Sequence, residues 1–490
     1  MNQNQITVII PFVLYIAFMT AIGFYFYRRT KNISDYILGG RNLNRWVTSM
    51  SAQASDMSGW LLLGLPGYAY VAGMEAIWIA LGLLIGTYLN WKCIARRLRR
   101  YSESAGNAIT LPEYFQNRFQ ADSRALRVVS ALFILIFFLM YTASGFVAGA
   151  KLFSTVFGLS YITALTVGVF VIIVYTFLGG FLAVSWTDFF QAVIMFCAIV
   201  CVPVIALNAT GGCRSAIDAI GGYNIQLLNP FTDENGNGKT VIAVISLMAW
   251  GLGYFGQPHI LARFMAIKNP DELKPARRIA VVWVSVTLAA AIAVGLVGKA
   301  YLGTTLIKEA SETVFMVLVN KLVPSLFAGF LLAAILAAIM STADSQLLVA
   351  SSAITEDLYR LFLRKNASGR ELVWISRFAV IVIAAVAFIL GSNPNASVLK
   401  LVAYAWAGFG ATFGPLILLS LYWKRMTYKG AIAGIISGGV AVIVWKQLHG
   451  GIFEIYEIIP GFLISIAAII ATSLLDAQPA DAIVEKFECL

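Results

Sequence analysis

Ser55-Asp56-Met57-Ser58-Gly59 places a carboxylate, two hydroxyls and a glycine in the middle of a long apolar run. An ionisable side chain at that depth in a bilayer costs about 3 kcal/mol or more, which makes it a functional candidate by default. A second run is interrupted at Trp250-Gly-Leu-Gly-Tyr-Phe-Gly-Gln-Pro-His259, where three glycines and a proline weaken the helical ladder. Backbone groups released by such breaks are free to coordinate ions and polar ligands. The alternative is that the glycines permit close helix packing and Asp56 is an internal salt-bridge partner. Covalent chemistry finds no counterpart. No HExxH, P-loop or nucleophile elbow occurs, and the five cysteines include no CxxC pair, so neither a zinc site nor a disulfide framework is expected.

The elements that must position these residues are membrane helices. Apolar residues make up 60% of the 490 and charged residues 12%, against roughly 45–50% and about 25% in a soluble domain. The apolar runs are about 20 residues long without a period of two, so helices are expected rather than barrel strands. Runs between polar breaks predict helices over 6–27, 44–71, 74–95, 128–155, 161–180, 188–209, 240–262, 279–303, 325–351, 374–391, 398–423, 430–448 and 458–475. The first run is long enough to span and lacks a basic flank before it, so it is expected to be a span and not a cleaved signal. Leu111–Phe119 reads as a short amphipathic helix in one connection, and 210–239 as a polar external loop.

Orientation follows from charge. With the N-terminus outside, the inner segments hold 27 of the 35 Lys and Arg residues. That asymmetry predicts N-terminus out and C-terminus in. It also accounts for the formal charge of +11 without any nucleic acid. The Arg96-Arg97-Leu98-Arg99-Arg100 cluster is either a general inside anchor or an anionic-lipid site.

The two interrupted spans lie five helices apart and so run in opposite directions. That pattern predicts a five-plus-five inverted repeat, 44–209 against 240–423, with a leading helix at 6–27 and two trailing helices at 430–475. In this architecture substrate binds between the two breaks.

Six stretches then carry a resemblance: Ile37–Asn42, Ala54–Trp60, Tyr175–Gln191, Trp250–His259, Leu336–Gln346 and Lys424–Ala431. In this order they resemble the sodium/solute symporter family over essentially the whole chain, closest to its bacterial sodium/proline branch. The resemblance implies a LeuT-type fold, sodium-coupled uptake of L-proline across a bacterial inner membrane, and no enzymatic activity. Neither nucleic acid nor an obligatory protein partner is expected, and Li+ could replace Na+. The same machine moving pantothenate, a monocarboxylate or a sugar is the first alternative, and a transporter-like sensor the second.

The family pattern implies a sodium site made by backbone carbonyls of Ala54, Met57 and Ala338 with hydroxyls of Ser341 and Thr342. Spacing agrees, since residues 338, 341 and 342 share one helical face, and a hard cation prefers oxygen ligands. The two hydroxyls could instead bond back to carbonyls of their own helix. Asp56 and Asp188 are implied in ion coupling. Asp56 either binds the ion directly or fixes the unwound backbone. Asp188 reads either as a release-path residue or as a carboxylate at a helix N-terminus. Ser58, Gly59, Tyr141, Trp250, Tyr254 and Pro258 are implied to line the proline pocket. Residues 250, 254 and 258 share a face if the helix is continuous, and aromatic faces attract a secondary ammonium. Asp344 is expected in a gate or a salt bridge, His259 in packing or proton transfer, and Arg41 as a gate or an anchor.

Overall fold

The computed structural model describes residues 3–27, 33–121, 123–178, 180–233, 235–306 and 308–488. Arg28, Arg29 and Lys31 of the inner charge count, Gly179 of the Tyr175–Gln191 stretch, Glu234 of the 210–239 loop and Cys489 lie outside them. Apolar helices dominate because each satisfies its own backbone groups within hydrocarbon. Ten helices among the described residues are long and apolar enough to cross a membrane. The bent pair Val241–Gly256 and Pro258–Ala266 makes eleven, and Tyr161–Phe177 is a shorter apolar helix. The fold is all-α and multi-pass.

Burial ranks these helices. Ser325–Leu363 and Val398–Tyr422 bury 78% of their most apolar window inside the protein, while Ile6–Phe26 and Ile458–Leu475 bury 33%. The former pair forms the centre and the latter two face outward. Ser325–Ser352 packs against Gln3–Tyr27, Ala125–Phe157 and Phe181–Ala209.

Helix starts follow capping chemistry. Asn44 accepts from the Val47 amide at 3.0 Å to open Arg45–Asp56. Thr110 accepts from Glu113 N at 3.2 Å while the Glu113 carboxylate accepts from Ile109 N at 2.8 Å, a reciprocal cap on Leu111–Phe119. Pro258 opens the helix that follows Gln257, where its missing N–H costs nothing.

The basic segments gather at one end of the bundle. Arg99 Nε donates to Ile267 O at 2.7 Å, Arg97 to Leu421 O at 2.9 Å and Arg118 Nε to Ser420 O at 3.0 Å. Arg96 pairs with Asp271 at 2.6 Å. Within the arginine cluster, Arg97 and Arg99 are held by protein carbonyls, while Arg96 and Arg100 lie exposed beside Asp271.

Two expectations are corrected, and one further connection contains a helix. The helix expected from 188 begins at Phe181, after an extended Gly180. Ser185 and Thr187, which read as a polar boundary, are fully buried against protein. Asp188 therefore sits two turns inside its helix, too deep for an N-terminal dipole role. The 210–239 connection contains the helix Cys213–Asn224. The 304–324 connection contains Val314–Leu322, buried on Val314, Phe315, Met316, Leu318 and Val319.

Candidate functional site

The first break is a change of hydrogen-bond partner. Arg45–Asp56 ends at Met57, whose φ −81° and ψ 72° leave the helical region. The Ser58 amide, which in a continuous helix would bond Ala54 O, turns to Asp56 O at 2.9 Å. The chain resumes as a π-wound turn over Trp60–Gly64 and then as Leu65–Ala72. Gly59 is required here, because a Cβ on it would lie 2.7 Å from the Cβ of Ala148.

Ala54 O, left without its amide, accepts from Ser341 Oγ at 2.8 Å and Thr342 Oγ1 at 3.3 Å. Ser341 Oγ also lies 3.1 Å from Ala338 O. Four of the five oxygens expected around a cation are thus brought together, and Met57 is fully buried at the break itself. The back-bonding alternative is present only in part: Ser341 reaches Ala338 O, but both hydroxyls bridge to the neighbouring broken helix.

Asp56 is fully buried and joins the two breaks. Its Oδ2 accepts from Tyr254 OH at 2.6 Å, and its backbone O accepts from Tyr141 OH at 3.0 Å and Trp60 Nε1 at 3.1 Å. Oδ1 has no hydrogen-bond partner among the described residues. Among the described residues Asp56 has no salt bridge, and its carboxylate is held by the Tyr254 hydroxyl. Ser58, Tyr141 and Tyr254 are each 1% exposed, so the site is closed to solvent.

The second break is locked by side chains. Val241–Met248 gives way to a 3-10 stretch over Ala249–Gly256, then to an extended Gln257, and the axis bends by 46°. Trp406 Nε1 donates to Trp250 O at 2.7 Å, and Gln257 Nε2 donates to Gly253 O at 3.1 Å. Gly253 lies against the Trp406 indole, where a Cβ has no room.

The 3-10 winding corrects one expectation. At three residues per turn, positions four apart diverge by about 120°, so Trp250, Tyr254 and Pro258 do not share one face. Trp250 stacks on Tyr456 at 5.7 Å and meets Trp60 at 6.3 Å. Tyr254 packs edge-on to Trp406 at 5.0 Å. Pro258 lines a separate cavity with Ile134, Ala262 and Met265.

Asp188 belongs to a buried network whose cation went unnoticed in the sequence. Arg263, fully buried, donates to Asp188 Oδ2 at 3.2 Å, to Ser345 Oγ at 2.5 Å and to Ser51 Oγ at 3.1 Å. Ser51 Oγ donates to the same carboxylate oxygen at 2.6 Å. In sequence Arg263 closes an apolar run and passes for an inside anchor; its spacing of four from His259 is the only local hint. Asp344 accepts from Thr176 Oγ1 at 3.3 Å and has no salt bridge among the described residues. His259 packs edge-on to Phe138 and Tyr141, and its ring nitrogens have no partner among the described residues, which favours packing over proton transfer. Arg41 donates to Asn107 Oδ1 at 2.8 Å, Met265 O at 2.5 Å and Ala108 O at 2.9 Å. Burial, with Arg99 beside it, pulls its guanidinium down to about 10. It stays charged near neutral pH and ties the first broken helix to the basic end.

Comparison with known proteins adds three findings. The model of the Sodium:solute symporter family matches residues 36–438. The sodium/proline symporters of Salmonella typhimurium and Escherichia coli are each 51% identical over 484 residues, covering 98% of this chain and 95% of theirs. The osmoregulated proline transporter OpuE of Bacillus subtilis is 49% identical over 483 residues, covering 98% and 96%. Among solved structures, a Na+-coupled sialic acid symporter in an outward-open state superposes with TM-score 0.78 at 19% identity, covering 97% of this chain and 99% of its own. Mhp1, a nucleobase-cation-symport-1 family transporter, gives 0.56 at 14% identity over 94% and 100%. At these identities the structural likeness shows the fold alone.

Proposed function

This chain belongs to the sodium:solute symporter family, and from that premise we propose that it couples entry of Na+ to uptake of L-proline across a bacterial inner membrane. The observation that carries this reading is the Ala54 carbonyl, released by the break and held by Ser341 and Thr342 hydroxyls from a different helix. A Na+ in place of those hydroxyl hydrogens would face Ala54, Ala338, Ser341 and Thr342 oxygens, with the Met57 carbonyl one step along the break. All five donors are neutral. They favour a hard monovalent ion and hold it weakly enough to let it leave.

Proline binding is assigned to Ser58, Gly59, Tyr141, Trp250 and Tyr254, which are buried in this structure. The half-helix after Gly59 offers backbone N–H groups to the carboxylate. Trp250 and Tyr254 offer ring faces to the pyrrolidine and its ammonium. Asp56 links ion and substrate, because its neighbours on either side belong to different ligands and its carboxylate holds Tyr254. Asp188 with Arg263 is assigned to ion release. Pro258 moves from the pocket wall to the route below it.

The architecture proposed is thirteen crossings in a five-plus-five inverted repeat, N-terminus out. The continuous stretch Trp60–Ser104 has 45 residues, about 67 Å of helix. That is over twice the roughly 30 Å of hydrocarbon, so it contains a reversal, for which Gly73 at φ 66° is the site. With the bent pair and Tyr161–Phe177 this supports thirteen. Binding of Na+ must differ between outward and inward states, otherwise nothing is coupled. One charge crossing about 100 mV supplies about 2.3 kcal/mol, and a tenfold gradient about 1.4. Together they permit accumulation of roughly 500-fold at one ion per substrate.

The test is competition. Uptake of labelled proline into cells expressing the protein should be blocked by excess unlabelled proline and left unchanged by pantothenate, lactate or glucose. Block by one of the latter would transfer the pocket to that solute.

A further inference from the structure

A small cavity has Pro258, Thr110 and Asp357 among its lining residues. Ala262 and Met265, on successive turns after Pro258, form part of its wall. Its volume is about 30 Å³, room for a few waters. A second cavity of about 230 Å³ is lined by Arg127, Glu113, Glu356 and Arg360. Between them stands an ion pair. Asp357, fully buried, faces the first cavity, and Arg127 faces the second. Arg127 Nε donates to Asp357 Oδ1 at 2.5 Å, and Thr110 Oγ1 donates to the same oxygen at 3.2 Å. Arg127 also reaches Glu356 O at 3.3 Å.

These residues come from three separate elements. Thr110 caps Leu111–Phe119, Arg127 sits in the first turn of Ala125–Phe157, and Asp357 lies in the π-wound Ala353–Leu363. The last of these continues directly from Ser325–Ser352, which carries Ser341 and Thr342. A buried ion pair adds little stability, because desolvation offsets its attraction. Its value lies elsewhere: closed, the pair excludes water, and open, both charges are hydrated at little cost. Loss of one partner strands the other in a dry wall and favours the hydrated arrangement.

We propose that Thr110, Asp357 and Arg127 form the inner latch of the substrate release path, shut in this structure and mechanically joined to the sodium site by the helix running from Ser341 to Asp357. The proposal rests on the transporter reading above and names residues for its inner gate. Asp357 and Arg127 act through the cavity wall and are positioning residues.

The test uses cysteine accessibility in the full-length protein. With the five native cysteines replaced by serine, Ala262→Cys places a thiol in the wall of the first cavity. Inside-out membrane vesicles are treated with a membrane-impermeant maleimide. Asp357→Asn and Arg127→Gln should each raise the labelling rate about fivefold or more, the change expected from a shift of about 1 kcal/mol. The exchanged pair Arg127→Asp with Asp357→Arg should bring the rate back toward the parent. Parent-like labelling in both single variants, or an exchanged pair as reactive as they are, overturns the latch. The readout needs no proline. A labelling pattern as expected without Na+-driven proline uptake upholds the latch and rejects the substrate. Normal uptake with flat labelling rejects the latch alone.

Discussion

The two broken helices solve the same problem, a span whose backbone ladder is interrupted, in different ways. At Met57–Gly59 the freed carbonyl of Ala54 is held, among the described residues, by hydroxyls of Ser341 and Thr342, groups that can turn away when a cation arrives. At Ala249–Gln257 the freed carbonyls of Trp250 and Gly253 are capped by an indole and an amide belonging to Trp406 and Gln257. Both hold these carbonyls through N–H groups, which offer a cation no lone pair in return; the amide's own oxygen, Gln257 Oε1, accepts nothing among the described residues. The first break is therefore built to exchange its partners and the second to keep them. Asp56 spans the two through Tyr254, so a change at the exchangeable break is felt at the fixed one.

That contrast is open to attack in a definite order. The largest effect is expected of Asp56→Asn, which removes the charge joining the breaks. Na+-driven proline uptake should fall about 100-fold or more at unchanged protein level, and near-normal uptake would remove the carboxylate from the coupling account. Next comes the double substitution Ser341→Ala with Thr342→Ala. The Na+ concentration for half-maximal uptake should rise about tenfold, a loss of about 1.4 kcal/mol. A change confined to proline affinity at every Na+ level would contradict the ligand assignment. Smallest is Gln257→Ala, which strands the Gly253 carbonyl. It should cost about 1 kcal/mol of stability, read as a lower melting temperature in detergent, and leave the Na+ requirement where it was. A shifted Na+ requirement would show that the second break also exchanges partners.

The sequence was informative where polarity is out of place. Asp56 in an apolar run, and glycines with a proline in another, disclose both breaks without any coordinates. Hydroxyls at 341 and 342 are equally visible, since they stand three and four residues after Ala338 and share a face with it. Arg263 was hidden because a cation at the end of a span has an ordinary explanation, and only tertiary packing buries it between Asp188, Ser51 and Ser345. The early start of the Phe181–Ala209 helix was hidden for a related reason: Ser185 and Thr187 look like a boundary unless the protein around them is known. The separation of Pro258 from Tyr254 depends on 3-10 winding, a local choice that packing of Gly253 against Trp406 imposes. Short helices inside connections, such as Val314–Leu322, bury apolar faces too brief for a membrane reading to register.

The central claim is that Na+ at the first break drives proline past the second. Purified protein in proteoliposomes, given labelled proline and an imposed gradient of Na+, Li+ or H+ alone, tests it directly. The account predicts accumulation far above equilibrium under the Na+ gradient, with Li+ as the one partial substitute, and none under the H+ gradient. Equal accumulation under H+ alone, or none under Na+, would contradict it.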